Sequence, residues 1–412
     1  MPWWTSKVRR AGAFGSIAAL LIAGLVAVAA VHAERPRAAA AVASPTPAVP
    51  HAVGPAAEVA RPSDPPAARA TPPACSNLSE LAHWPLARLA SQVLMLSVGE
   101  DDIASVTPLI RDGVGGMLIT GTSGVPGLAQ SLASLRGVAG PVPPLFAVDA
   151  EGGRVQRLGP LLPPLASPRQ LAATRTPGEV RDDGQRLGTA LHELGITMDF
   201  APDADLTDGP AGGPIGDRSF SNDADVTATY AGAFAQGLEA AGVVPVAKHF
   251  PGHGHADGDT DLAPAVTPPI ERLRTSDLRS FTTLIAHGIP AVMVGHLTVP
   301  GVTDAGRPAS VSPAAIGLLR RGLGFGGLIV TDSLSMGAIS RSGLSVPDAA
   351  VAALEAGADL LLFTSNQDAP DAVGAIGRAV TSGALPMARL QDAAARVLAI
   401  KHVDLCRAAR QP

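Results

Sequence analysis

Residues 243–254 read VVPVAKHFPGHG. The run begins with apolar, largely β-branched residues and ends on Lys248 and His249. It lacks the apolar–polar alternation of a half-exposed strand. A strand buried on both faces reads this way, and such strands belong to parallel sheets covered by helices. Seven further runs of the same kind lie at 94–98, 116–120, 145–149, 196–201, 291–296, 328–332 and 359–364. Between them lie amphipathic stretches with recognisable ends. TPGEVRDDGQRLGTALHELG places Pro177 at a helix start and Gly195 at its stop, and ADVTATYAGAFAQGLEAAG places Asp225 as a cap and Gly242 as a stop. Eight strand–helix units predict an α/β fold, a (β/α)8 barrel of the TIM type. A doubly wound open sheet is the alternative, but no G-x-G-x-x-G follows the first run and no Walker-type loop occurs.

A (β/α)8 barrel gathers its site at the C-terminal ends of the strands. The runs end on Asp149, on Asp203 and Asp205, on Lys248 and His249, on His296, on Asp332, and on Thr364 and Ser365. Any one of these is simply where chain meets water. Together they predict one polar barrel mouth.

The two ends of the chain read differently. Lys7, Arg9 and Arg10 precede an uncharged run from Ala11 to Ala33, the pattern of an export signal, so residues 1–33 are expected to be a cleaved signal or a retained membrane anchor. Residues 34–74 are rich in Pro and Ala and are expected to form a stiff, disordered spacer. The folded domain is then expected at 75–412, exported to the cell envelope and touching membrane only through the N-terminal segment. Cys75 and Cys406, the two cysteines of the chain, stand at its edges, and in an exported protein they predict a disulfide. The chain has 46% hydrophobic and 16% charged residues, which provides for a large core. Its net charge of −5 gives no basic footprint for nucleic acid.

Residues 248–261, KHFPGHGHADGDTD, offer three histidines and three aspartates. His249 and His253 have the spacing of two metal ligands on a helix, but Pro251 and Gly252 between them break the helix. Asp257, Asp259 and Asp261 open like a calcium loop, yet Leu262 and Pro268 stand where it needs Gly and Glu. No metal is expected. The remaining chemistry is acid/base work: Asp332, mounted rigidly on a strand end, as one carboxyl of a glycosidase pair, and Asp259 or Asp261 on the Gly-rich loop as the other.

VDAEGGRVQRL, IGDRSF, KHFPGHG and VTDSLSM, four motifs in this order at the ends of the strand runs, together resemble the β-N-acetylglucosaminidases of glycoside hydrolase family 3, in their single-domain, barrel-only branch. The resemblance implies an exo-acting, retaining enzyme, without cofactor, that removes terminal N-acetylglucosamine from cell-wall sugars, expected here as a monomer. It implies Asp332 as nucleophile and Asp149, Arg157, Arg218, Lys248 and His249 as the residues that hold the sugar. One position departs from the pattern. The family carries Asp-Ser-His on the loop, with the histidine as general acid/base and the aspartate orienting it, whereas this chain reads Asp259-Thr260-Asp261. Three outcomes follow: Asp261 serves as the acid, with its pKa raised by its neighbour; His255 swings in; or the protein binds glycan and turns it over poorly. Transfer to phosphate or to another sugar at the same site is a further alternative. Of the neighbours, His253 reads as a loop brace, Glu151 as an arginine partner or a ligand contact, and His296 as a hydrogen-bonding residue inside the mouth.

Overall fold

The computed structural model describes residues 77–408. The predicted signal or anchor (1–33) and spacer (34–74) lie outside the described residues, as does Cys75.

Eight parallel strands form the centre: β1 (Leu94–Gly99), β2 (Gly116–Thr120), β3 (Leu145–Val148), β4 (Met198–Asp199), β5 (Val244–Phe250), β6 (Ala291–Val294), β7 (Leu328–Thr331) and β8 (Leu361–Phe363). Neighbours in sequence are neighbours in the sheet, and β8 returns to pair with β1, Leu94 opposite Leu361. Between β7 and β8 a parallel bridge at Val330 and Leu360 completes the ring, with the Thr331 amide donating to Leu360 O at 3.0 Å. Closure excludes the open sheet.

The uninterrupted apolar runs have a simple cause here. Alternate residues point to opposite faces of a strand, and in this barrel both faces are covered. Met95, Leu145, Ala147, Met198, Val246, Met293, Val330 and Leu362 fill the interior, joined by Val397 from the helix Met387–Ile400. Their strand neighbours Leu94, Phe146, Val148, Val292, Ile329 and Phe363 pack outward against the helices.

The helix Pro177–Leu194 has the predicted ends: Thr176 and Glu179 form a capping box, and Gly195 closes it at φ 90°. The helix Ala224–Ala240 corrects the predicted cap. Asp223, not Asp225, accepts the amides of the first turn, and Asp225 instead pairs with Arg279 at 2.7 Å. The last run also starts later than predicted. Asp359 lies before β8 and is a buried anchor, accepting from the Ile329 amide and paired with Arg320 and Arg389. At the domain's edges Asn77 donates to Val403 O and accepts from the Leu405 amide, both at 2.8 Å, beside the buried Cys406.

Candidate active site

A cavity of about 600 Å³ opens at the C-terminal ends of the strands. Its floor is apolar, made by Leu118, Phe200, Met293 and Leu362. Its walls bring together every residue predicted for catalysis or sugar binding: Asp149, Arg157, Arg218, Lys248, His249, Asp259, Asp261 and Asp332.

One wall is a buried ion network. Lys248 Nζ reaches Asp149 Oδ1 at 2.8 Å and Glu151 Oε1 at 2.6 Å. Arg218 grips the same Glu151 with Nε and Nη2, at 2.7 and 2.8 Å, a bidentate fork. Burial pushes the Glu151 carboxyl up, but the charges of Arg218 and Lys248 outweigh it and hold the carboxyl far below its ordinary range. Burial likewise works against the Lys248 ammonium, and Asp149 and Glu151 overcome it, raising its pKa. Glu151 thus orients both cations, the arginine-partner role among its two readings. The Arg157 amide donates to Asp149 O at 2.9 Å, which ties these two ends of the VDAEGGRVQRL segment together.

His249 follows Lys248, and both line the cavity. His249 Nδ1 lies 2.8 Å from Asp205 Oδ2, and Arg218 Nη2 lies 3.4 Å from Nε2. With Nδ1–H donated to the carboxylate, Nε2 is left as an acceptor facing the cavity. Asp205 is fully engaged, since its two oxygens also accept the His249 and His253 amides. Asp203, Asp205 and His249 have donor atoms within 4.8 Å of one another, a grouping the sequence reading did not weigh for metal. Asp205 and His249 are bonded to each other, whereas Asp203 accepts the Asp205 amide through Oδ1 and its buried Oδ2 has no hydrogen-bond partner among the described residues, the Arg218 guanidinium lying 3.7 Å away. Burial, then the neighbouring Asp205 charge, push the Asp203 carboxyl well above its ordinary range.

Asp332 follows β7 and is buried, with Oδ1 accepting the Ser333 amide at 2.8 Å. Burial would raise its pKa; the nearby imidazoles of His249 and His296, the Ser333 amide and Lys248 together bring it below the ordinary value. Asp261 stands at the rim on the loop after β5. Partial burial, then the negative charges of Asp332 and Asp259, push its pKa up. Asp259 Oδ1 accepts the Asp261 amide at 3.0 Å and shapes the turn.

The remaining strand-end residues divide. Thr364 lines the cavity. His296 is buried beside it, Nδ1 on Ser310 Oγ and Nε2 on Ser333 O, both at 2.7 Å, so it braces the mouth. His253 braces the loop through Nε2 and Gly258 O at 3.2 Å. His255 does not line the cavity: Nδ1 meets Asp277 at 3.0 Å and Nε2 meets Asn222 Oδ1 at 2.9 Å. With both ring nitrogens so held, the alternative in which His255 swings in as the acid is not what this structure presents. Arg154 was missed. It lines the cavity and holds its far wall by donating to Gly213 O, Pro214 O and Ile215 O and pairing with Asp217 at 2.8 Å. The available signal was the Gly/Pro-rich stretch 209–214 just before the IGDRSF motif, a loop that needs a polar brace.

A closed parallel barrel with two carboxyls of opposed proton affinity at its mouth is an arrangement a glycoside hydrolase can use, and the family is shown by comparison: residues 94–400 match the N terminal domain of glycosyl hydrolase family 3, and the chain belongs to that family. It is 41% identical over 314 residues to beta-hexosaminidase LpqI of Mycobacterium tuberculosis, covering 74% of this chain and 81% of that protein. The solved structure of M. tuberculosis LpqI aligns with TM-score 0.74 and 40% identity over 79% of this chain and 96% of that one. A glycoside hydrolase family 3 β-N-acetylglucosaminidase from a Paenibacillus species aligns with TM-score 0.73 and 33% identity, over 80% of this chain and 64% of that one.

Proposed function

We propose that this chain is an exo-acting, retaining β-N-acetylglucosaminidase that removes terminal N-acetylglucosamine from peptidoglycan-derived sugars. One observation carries the reading. Asp332 and Asp261 line the same cavity, and their surroundings push their proton affinities in opposite directions. Titratable groups driven apart in this way mark the acid and the base of a site.

The chemistry follows from that split. The ionised Asp332 attacks the anomeric carbon while the protonated Asp261 gives its proton to the departing glycosidic oxygen, leaving a glycosyl–Asp332 ester. The Asp261 carboxylate then takes a proton from water, whose oxygen attacks the same carbon and displaces Asp332. Two inversions give net retention. Lys248, Asp149, Arg157, Arg218 and His249 hold the sugar hydroxyls. Phosphate is a poor second nucleophile in this reading: at the second step it would meet the ionised Asp261 as an anion, whereas water carries no charge.

The pH profile tests the reading. Asp332 must be ionised and its pKa is lowered, so kcat/KM falls only at strongly acidic pH. Asp261 must be protonated, so kcat/KM falls as pH rises through its raised pKa. The expected result is a bell with its maximum on the acid side of neutrality and the β-anomer as first product by NMR. A maximum at neutral or alkaline pH would remove Asp261 from the acid role.

The reading places the domain in the cell envelope, carried there by residues 1–33 and held off by 34–74; N-terminal sequencing of the mature protein distinguishes a cleaved signal from an anchor. Among the described residues no helix is long and apolar enough to cross a membrane. We read Cys75 and Cys406 as a disulfide joining the domain's edges, in keeping with the Asn77 bonds to Val403 and Leu405. Thiol titration of the unfolded, unreduced protein should then find no free cysteine.

A further inference from the structure

The loop that carries Asp261 does not stand alone over the cavity. Its backbone is bonded to the segment that begins at the nucleophile: the Gly337 amide donates to Asp261 O at 3.0 Å, and the Ala338 amide to Thr260 O at 3.1 Å. Thr260 is buried in this contact. The approach leaves no room for a side chain. A Cβ on Gly337 would lie 2.4 Å from Leu262 O, 2.6 Å from Leu262 C and 2.8 Å from Asp261 O, all backbone atoms that yield only if the loop moves. Ser333 and Met336 of the same segment line the cavity, so one short stretch both supports the nucleophile's surroundings and receives the acid loop. At its other end the loop is rooted through Asp257, whose amide donates to Val266 O and whose Oδ1 accepts the Val266 amide.

From this geometry we infer that Gly337, with the Ala338 amide, is a positioning residue for proton transfer: it docks the Asp261–Leu262 peptide and so sets the distance between the loop carboxyl and Asp332. The inference rests on the assignment of Asp261 as the acid. Gly337 touches no substrate and acts only through the loop. Its effect must therefore scale with how much protonation the leaving group needs.

The experiment compares the full chain with Gly337→Ala on two substrates, a N-acetylglucosaminyl disaccharide and the dinitrophenyl glycoside of N-acetylglucosamine. A misplacement of about 1 Å costs on the order of 100-fold in a proton transfer of this kind. We expect kcat/KM to fall at least about tenfold on the disaccharide and less than about threefold on the dinitrophenyl glycoside. Ala338→Pro gives a second route, since it removes the amide that donates to Thr260 O at a first-turn position with no intrahelical bond to lose; the same split is expected, and it decides the matter if Gly337→Ala does not fold. Gly137→Ala, in the helix Leu128–Ala139 with nothing within 4 Å of the added carbon, should change neither rate. An equal loss on both substrates, or no loss on either, overturns the docking role. If the wild-type chain turns over neither substrate, it is the proposed function that fails.

Discussion

Asp332→Ala should reduce turnover of an aryl N-acetylglucosaminide by about four orders of magnitude or more, because it removes the atom that forms the covalent intermediate. The surroundings make the loss hard to compensate. The imidazoles, the amide and Lys248 that lower the Asp332 pKa surround this one carboxyl, and the neighbouring Ser333 offers its amide, not a second carboxylate. Azide added to the variant should enter the vacated space and yield the α-glycosyl azide, since attack then occurs once, from the nucleophile's side. Residual activity above about one part in a hundred would remove Asp332 from its role. Wild-type protein that binds the sugar without turning over either substrate would instead favour a glycan-binding protein.

Asp261→Asn should produce the second-largest effect, and a selective one. The amide keeps the shape of the carboxyl but carries no acidic proton. Loss of a general acid costs about 10² to 10⁴-fold where the leaving group needs protonation, so the disaccharide should suffer by that factor. The dinitrophenyl glycoside should still form the glycosyl-enzyme at nearly the normal rate. Its release would then lack a base, so a burst followed by slow turnover is expected, and azide should speed the second step and give the β-glycosyl azide. The alkaline limb of the pH profile should disappear with the carboxyl. A uniform loss on both substrates, with that limb unchanged, would mean that another group is the acid.

Much of this arrangement was legible in the sequence because the physics that sets it is local. A strand covered on both faces must be apolar throughout, so the barrel strands announced themselves, and the polar residue that ends each marks where the chain leaves the core. Asp149, Lys248, His249 and Asp332 were found in this way. The helix from Pro177 was legible for the same reason, since its capping box and terminal glycine lie within its own segment. What escaped depends on residues far apart in the chain. Nothing local to Arg154 tells that it braces a loop some sixty residues on, nor does anything local to Asp359 tell that it pairs with Arg320 and Arg389 ahead of the last strand rather than beginning it. The cap at Asp223 instead of Asp225 was decided by which aspartate's side chain faces the free amides, and two candidates two residues apart look alike in sequence. The docking of the loop on Gly337 joins the turns after two different strands, and only the closed barrel brings them together.

The buried network around Glu151 also bears on which sugars the cavity admits. Lys248 and Arg218 are two cations set against the carboxylates of Glu151 and Asp149, at contacts of 2.6 to 2.8 Å. The wall is therefore rich in directed donors yet nearly balanced in charge. An uncharged hexosamine would meet donors and acceptors without bringing a net charge to this wall. A uronic or sialic acid would bring its carboxylate to a cavity that Asp332 and Asp261 also line. In the proposed reading these ion pairs therefore favour neutral sugars over acidic ones.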